Sequence, residues 1–510
     1  MDGERGISRR SPELVVGLVG AAGADLDSVT RMVRSAVAPM GYETIDLRLS
    51  ELLHDVSCFA NLSAAAPEDD RIAAHQDAGN GFRERMERGD AVALLAVAAI
   101  RRIRKQRNAE WGNAADAPLV ATAFILRSLK TREEVETLRR IYGNAFVALG
   151  IHSAATVRAD NLAQKIALSR HDPHSDRYKA RAHELLIKDQ EEPGKRYGQD
   201  VAHAFPEADV FFGLDQPFEP EKDMARFFNL YFGHPFITPT RDEFAMFLAH
   251  AVALRSADLS RQVGAVIVAD EGDVVAVGTN EVPKAGGGLY WEGDQPDGRD
   301  FRQGANVSVQ YRRSALAEVF ERLSQGRWLR AEFEGKTVSE LADQARELMA
   351  GTQIMGSGEY GRMVHAEMAA LMDAARRGAA TQGLRLVTNL FPCHNCTKHI
   401  VAAGLKEVIF LHPYLKSLAF QLHGDSVEAE QSGSGHRVWF RPFIGVGPRK
   451  YTELFRMRRR KSADDELIRW EPQAAAPCLH ESVTAILERE GVACAELNQL
   501  MKRADLSYAP

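Results

Sequence analysis

The run Leu14-Val-Val-Gly-Leu-Val19 is apolar without interruption and flanked by polar residues, the pattern of a strand buried on both faces. A glycine-rich turn follows. Apolar positions then recur at helical spacing from Leu26 to Val37, with Asp25 or Asp27 placed to cap the helix. The alternation repeats, predicting strands at Tyr42–Leu47, Leu119–Leu126 and Ala145–Ile151 and helices at Ala91–Arg107, Glu133–Ile141 and Thr156–Ser169. Strands separated by helical periods predict a parallel α/β sheet. Residues 172–198 are polar and without period, and a short strand at Ala208–Phe212 closes the series.

Pro217, Pro220, Pro235 and Pro239 cluster between Asp215 and Arg241, which places a domain boundary there. The expected division is residues 1–235 and 236–510. Beyond it the pattern predicts a helix at Arg241–Arg255 and a hairpin of Gly264–Asp270 and Val274–Asn280 turning at Glu271-Gly272-Asp273. A loop at 284–304 and a mostly helical Val309–Met349 read as an insertion of about 284–360. A helix at Met363–Arg377, a strand at Leu384–Leu390, a helix at Cys396–Ala403 stopped by Gly404, and a strand at Glu407–Leu411 complete the second domain. From about Tyr451 the chain is charged and helical in pattern. Residues 1–12 are polar and expected to fray.

Composition narrows the class. The 510 residues are 45% hydrophobic and 26% charged, enough for sizeable cores without disulfides or metal to hold them. The longest apolar run, Ala91–Ile100, is too short to span a bilayer, and the N-terminal residues lack the apolar segment of a secretory signal. Five cysteines form no disulfide framework, so a reducing cytoplasm is expected. A net charge of −6 argues against a protein coated in nucleic acid.

The chemistry concentrates in His365-Ala-Glu367 and Pro392-Cys393-His-Asn-Cys396. Two thiolates three residues apart at a helix start can face one metal, and a distant imidazole supplies a third ligand. His365, Cys393 and Cys396 are therefore expected to hold one zinc ion, with a fourth position left for water, as in catalytic rather than structural sites. Glu367, beside the ligands but not one of them, is placed to move protons. The alternative is a Cys-x-x-Cys pair next to an ordinary core histidine.

The pattern His-x-Glu…Pro-Cys-x-x-Cys matches zinc nucleobase deaminases. Together with Arg255-Ser256, Arg261-Gln-Val-Gly-Ala-Val-Ile267, Gly278-Thr-Asn280 and Pro413-Tyr-Leu-Lys416, it makes residues 241 to about 423 resemble deoxycytidylate-type deaminases. That resemblance implies a cytidine-deaminase-like α/β/α domain. It also implies that the Val263, Gly264, Ala265 edge lines the pyrimidine pocket and that Asn280 hydrogen-bonds the sugar. A glycine beside the pocket would let a flat base approach the backbone, while for Asn280 a simple turn residue is the alternative. Residues 281–364 contain neither Cys nor His, so a second zinc in the insertion is not expected.

At the front, Gly17-Leu-Val-Gly20-Ala-Ala-Gly23-Ala-Asp25 follows a strand and opens a helix, where a phosphate-cradling loop belongs. The Lys and Ser/Thr of a phosphoryl-transfer loop are replaced by Ala24 and Asp25. Two readings stay open: a nucleotide held through Gly17, Gly20, Gly23 and Asp25, or a tight turn with no ligand. Paired with the deaminase motifs, and with Arg127-Ser-Leu-Lys-Thr-Arg-Glu-Glu-Val-Glu, Leu138-Arg-Arg-Ile-Tyr-Gly143, Lys416-Ser-Leu-Ala419, Leu422-His-Gly-Asp-Ser426 and Phe440-Arg-Pro-Phe-Ile-Gly-Val446, the chain resembles the bacterial anti-phage dCTP deaminases. The resemblance implies an α/β protein in which a P-loop kinase-like domain precedes the zinc domain, with dCTP and dCMP as substrates. It further implies nucleotide depletion in phage defence, a homo-oligomer and, in some relatives, a regulatory RNA. A polynucleotide cytidine deaminase and a nucleotide sensor with a structural zinc are the rival readings. The basic run Arg456, Arg458, Arg459, Arg460 and Lys461, followed by Asp464, Asp465 and Glu466, reads as a solvated helix face or as a contact for triphosphate or RNA. Cys58, Cys478 and Cys494 lack ligand spacing and read as structural thiols.

Overall fold

The computed structural model describes residues 11–508 except 64–65, 193, 305–306, 334, 350–351, 353–360, 415–416, 431–435 and 479. Residues 1–10, Leu415 and Lys416 of the motif stretches, and parts of the insertion thus lie outside the described residues. Two compact units form, one from the chain up to Phe244 together with the chain from Pro442 onward, the other from Ala245–Arg441. Among the described residues no helix is long and apolar enough to cross a membrane.

In the first unit, β1 (Leu14–Gly20) is buried along its whole length, as its unbroken apolar run requires. It lies centrally among five parallel strands with β2 (Glu43–Arg48), β3 (Thr122–Arg127), β4 (Phe146–His152) and β5 (Val210–Gly213), in the order β2-β3-β1-β4-β5, and a sixth, antiparallel strand joins the sheet beside β5. Register places Val16 opposite Ile125 on one side and Val147 on the other. Helix α1 (Leu26–Val37) begins at Asp25, whose carboxylate accepts from the Ser28 amide, so of the two candidate caps Asp25 is the one used. The helices predicted after β2 and β3 appear as α3 (Ala91–Trp111) and α4 (Arg132–Tyr142), the latter opened by a Thr131/Glu134 capping box.

Three helices of this unit lie outside those expected from the sequence. Helix α2 (Glu68–Met86) buries Asp69, Gln76, Asn80 and Arg83 where an apolar stripe would be expected. The Arg83 guanidinium pairs with Glu134 at 2.8 Å, so these buried polar groups are matched by charge beside the apolar Ala78, Phe82 and Met86. Helix α6 (Lys179–Gln190) lies inside the polar stretch and packs with α5 (Ala155–Ser169) through Leu162, Ile166, Leu185 and Leu186. Helix α7 (Pro220–Tyr231) begins with Pro220, a residue that favours the first helical turn. Its Phe227, Phe228 and Tyr231 are buried in the core of the first unit. The proline cluster is therefore not a linker; the units divide at Phe244, inside helix α8 (Arg241–Ala253).

The C-terminal extension, expected with the second domain, belongs to the first unit. Gly445–Val446 pairs antiparallel with β5, and Val446 and Leu454 are buried in that core. The terminal helix (Val483–Arg503) packs on α3 with Ala493, Leu497 and Met501 buried. Glu490 on that helix and Glu13 at the foot of β1 both grip the buried Arg104 guanidinium. The basic run is not helical: Arg460 donates to the Pro235 carbonyl and Lys461 pairs with Asp465 at 3.0 Å.

In the second unit, β6 (Gly264–Val268) and β7 (Val274–Thr279) form the expected antiparallel hairpin. β8 (Arg385–Leu390) runs antiparallel to β6, and β9 (Glu407–His412) runs parallel to β8. Side chains alternate across the sheet. On one face Ala265, Ile267 and Ala276 pack with α11 (Ala366–Arg377) and α12 (His394–Ala402). On the other, Gly264 lies against α8, where a Cβ would fall 2.0 Å from the Ala249 carbonyl oxygen. The result is an α/β/α domain. In the insertion, α9 (Val307–Gln325) and α10 (Val338–Leu348) pair through Leu316, Ala342 and Ala345, matching the helical pattern read there.

Candidate active site

His365 is the residue that opens α11, and Cys393 is the residue that opens α12. Both helices begin at the same end of the sheet, so Glu367 falls in the first turn of α11 and Cys396 in the first turn of α12. A helix N-terminus favours negative charge, which suits thiolates and a carboxylate. The His365 Nδ1 atom lies 3.4 Å from both Cys393 Sγ and Cys396 Sγ. These three are the potential metal-binding cluster found among the described residues.

The donor set fits zinc. Tetrahedral coordination with Zn–S of about 2.3 Å and Zn–N of about 2.0–2.1 Å places nitrogen and sulfur roughly 3.6 Å apart, close to the observed separations. Without metal, the hydrogen bond from Cys396 and that from His365 hold the Cys393 thiol down to about 3, while its bond to Cys393 raises His365 to about 9. His365 is exposed, Cys393 half-buried and Cys396 buried, so the cluster opens on its histidine side.

Glu367 is 4% exposed, and burial pushes its carboxyl above the usual range. A carboxyl so placed exchanges a proton more readily near neutral pH than an exposed one.

The expected pocket residues hold the loop that precedes β6. Asn280 accepts from the Val263 amide at 2.8 Å through Oδ1 and donates to the Arg261 carbonyl at 2.8 Å through Nδ2. Its side chain thus fixes the 261–263 backbone, leaving one N–H and one lone pair for anything else. Gly264 packs against α8, where any side chain would meet the Ala249 carbonyl, so helix packing by itself requires glycine at this position. Ala265 is fully buried against α11, and Val263 packs on the edge of the same core.

Sequence reading missed Asn389, at the end of β8. Its Oδ1 accepts from the Gly264 amide at 2.9 Å and its Nδ2 donates to the Gln262 carbonyl at 3.1 Å. Two asparagines, one just past β7 and one near the end of β8, therefore clamp the loop from both sides; an amide at a strand end before Leu390-Phe391-Pro392 was the available signal. Arg255, noted only as part of a motif, stacks on Trp291 with its guanidinium carbon 3.4 Å from the ring centroid and donates to the Tyr290 carbonyl at 2.9 Å. It ties the start of the insertion to the same loop.

The N-terminal loop residues separate. Gly17 lies within β1, where a Cβ would meet Leu129 at 2.7 Å and Phe146 at 2.9 Å, so it serves core packing and not the loop. Asp25 is spent on capping α1. Gly20 and Gly23 do belong to the turn, and Gly23 takes a left-handed φ of +81°. Cys58 is exposed, while Cys478 and Cys494 are half-buried; none is in a disulfide.

Comparison with known proteins points to the same half of the chain. Residues 239–412 match the family model described as cytidine and deoxycytidylate deaminase zinc-binding region. The ComE operon protein 2 of Bacillus subtilis is 36% identical over 72 residues, 13% of this chain and 38% of its own. Mouse deoxycytidylate deaminase is 28% identical over 213 residues, 42% of this chain and 80% of its own. Among solved structures, the dCMP deaminase of cyanophage S-TIM5 in complex with dCMP and dUMP aligns with 17% identity and a TM-score of 0.23, over 40% of this chain and 98% of that one. The part of this chain that carries His365, Glu367, Cys393 and Cys396 is a deoxycytidylate deaminase-type zinc-binding domain.

Proposed function

We propose that this chain hydrolytically deaminates the cytosine of deoxycytidine nucleotides, dCMP or dCTP, yielding the uracil nucleotide and ammonia. The observation that carries the reading is the buried Glu367 carboxyl beside the His365, Cys393 and Cys396 donors. A site that only held metal for stability would have no use for a buried acid there. Zinc bound by these three residues would make hydroxide available at neutral pH by lowering the pKa of its water toward ~7. Glu367 takes one proton from the attacking water and delivers it to the ring nitrogen. It then passes the second water proton to the amino group, which leaves as ammonia when the C–N bond breaks. The new C–O bond becomes the uracil carbonyl, so atoms and charge balance. Asn280 and Asn389 position the loop that faces this chemistry.

A cellular role in lowering the deoxycytidine nucleotide pool during phage attack is supported by the paired motif stretches in both halves of the chain.

The test is ammonia release by the zinc-loaded full chain from dCMP, dCTP and single-stranded DNA. Turnover of a free nucleotide, reduced about 10²–10⁴-fold or more in Glu367→Ala, is the expected result. Conversion of DNA alone would overturn the substrate assignment. No conversion of any of the three would overturn the reaction.

A further inference from the structure

The first unit holds a cleft that the deamination chemistry does not use. It opens at the carboxyl ends of β1, β2 and β3, with a volume of about 260 Å³. In open parallel sheets this end collects ligands where the strand order reverses, as it does around β1, flanked by β3 on one side and β4 on the other. The turn Gly20–Ala24 forms one wall.

Its charge is unbalanced. Six Lys or Arg side chains against four carboxylates line the cleft, and Lys165 makes no ion pair among the described residues. The lysine missing from the turn itself is supplied from beyond β3. Lys130 Nζ reaches 3.4 Å from the Gly20 carbonyl and 2.8 Å from Asp189. Asp189, on α6 and with its side chain 2% exposed, also accepts from the Ala22 amide at 2.7 Å. One buried carboxylate thus sits on a turn N–H and a lysine ammonium together, the pair of donors a phosphate oxygen would use.

A second, independent feature lies deeper. Gln76 is 6% exposed and lines the cleft; its Nε2 donates to the Leu185 carbonyl, which fixes Oε1 as the other end of the amide. That Oε1 is buried and has no hydrogen-bond partner. A buried acceptor left bare is unfavourable, an arrangement that calls for a donor. The adjoining walls at Leu49, Leu53 and Ile72 are apolar and suit a flat ring.

We propose that this cleft is a second ligand site, taking a nucleoside phosphate whose base carries an amino group. The phosphate displaces Asp189 from Ala22 and Lys130, and the amino group donates to Gln76 Oε1. Asp189 is then an internal stand-in for phosphate that keeps the turn and Lys130 satisfied when no ligand is bound. Nothing in this site can transfer phosphate by the usual loop chemistry, because the loop lysine and hydroxyl are absent from the turn; its role is binding.

The experiment is calorimetric titration of the full zinc-loaded chain, in a Glu367→Ala background that stops turnover, with ATP and ITP, CTP and UTP, and inorganic triphosphate. ATP should bind at least tenfold more tightly than ITP; CTP and UTP, which the zinc site also takes, are scored only by how their binding depends on Asp189 and Lys130. Asp189→Asn should tighten that binding about tenfold, and Lys130→Gln should weaken it by tenfold or more. Lys165→Ala, at an exposed position, repeats the weakening should Lys130→Gln not fold. Absence of ATP binding, equal binding of inorganic triphosphate, or affinity indifferent to both Asp189 and the two lysines would each overturn the proposal. None of these results bears on ammonia release, so the two readings fail separately.

Discussion

Gly278 sits on β7 where α11 crosses the sheet, and a Cβ there would lie 2.2 Å from both the Ala366 carbonyl oxygen and the Ala370 amide nitrogen. Ordinary contact begins at 3.4 Å, so Gly278→Ala must push α11 away by roughly 1 Å, at an overpacking cost of about 1–3 kcal/mol. Both opposing atoms are helix backbone, which no rotamer change can move aside. The first turn of α11 carries His365 and Glu367, whereas Cys393 and Cys396 ride on α12 and stay in place. The nitrogen-to-sulfur separations of 3.4 Å would therefore open. Zinc affinity should fall about 10–100-fold, the usual effect of mispositioning a ligand through its support. Turnover should fall about 100-fold, as a displacement near 1 Å allows. The assay is competition with a fluorescent zinc chelator, paired with urea unfolding and ammonia release. Gly264→Ala is the control: it strains the opposite face, against the Ala249 carbonyl at 2.0 Å, on a helix that carries no donor. If Gly278→Ala kept wild-type zinc affinity while losing as much stability as Gly264→Ala, the claim that α11 is the positional reference for the site would be wrong.

Two further predictions concern the first unit. Glu490→Ala leaves the buried Arg104 guanidinium with Glu13 as its carboxylate partner and should destabilise the unit by about 3 kcal/mol, read as earlier urea unfolding; an unchanged midpoint would show that the terminal helix is not anchored by this pair. Burial alone would raise the Asp90 carboxyl, but hydrogen bonds from Arg88 and Thr137 outweigh it and hold the group below its ordinary value. A lowered folded-state pKa gives stability that is full above the unfolded value near ~3.9 and is lost as pH falls through the folded one. Wild type should accordingly lose more stability than Asp90→Asn between about pH 5 and pH 3, in denaturant titrations at the two pH values; parallel losses would remove Asp90 from the acid response.

The zinc cluster was legible because its chemistry is local to two helix starts. The register of a first helical turn sets His365 against Glu367 and Cys393 against Cys396, and sequence spacing fixes that register, while the sheet brings the two helix starts together. The apolar strands β1, β3 and β4 were equally legible, since strands buried on both faces leave no polar interruptions. What the pattern could not carry was burial achieved by pairing. Helix α2 hides Asp69 and Arg83 behind ion pairs with Arg170 and Glu134, partners about 100 and 51 residues away along the chain, so its buried face looks polar in sequence. Asn280 and Asn389 bond to backbone atoms of a loop that only sheet pairing brings near, and a lone asparagine is as readily a turn residue.

The sequence by itself determined which residues can donate to zinc and which acid can move protons, because those depend on residue type and on the register of two helix starts. Tertiary structure alone decided the rest. It returned the C-terminal extension to the first unit, because Val446, Leu454 and Leu497 find their apolar partners there. It withdrew Gly17 and Asp25 from the front loop and brought Lys130, Gln76 and Asp189 to it. Those three are distributed over 114 residues of chain, from position 76 to 189. Only a parallel sheet that sends its carboxyl ends to one edge can gather them.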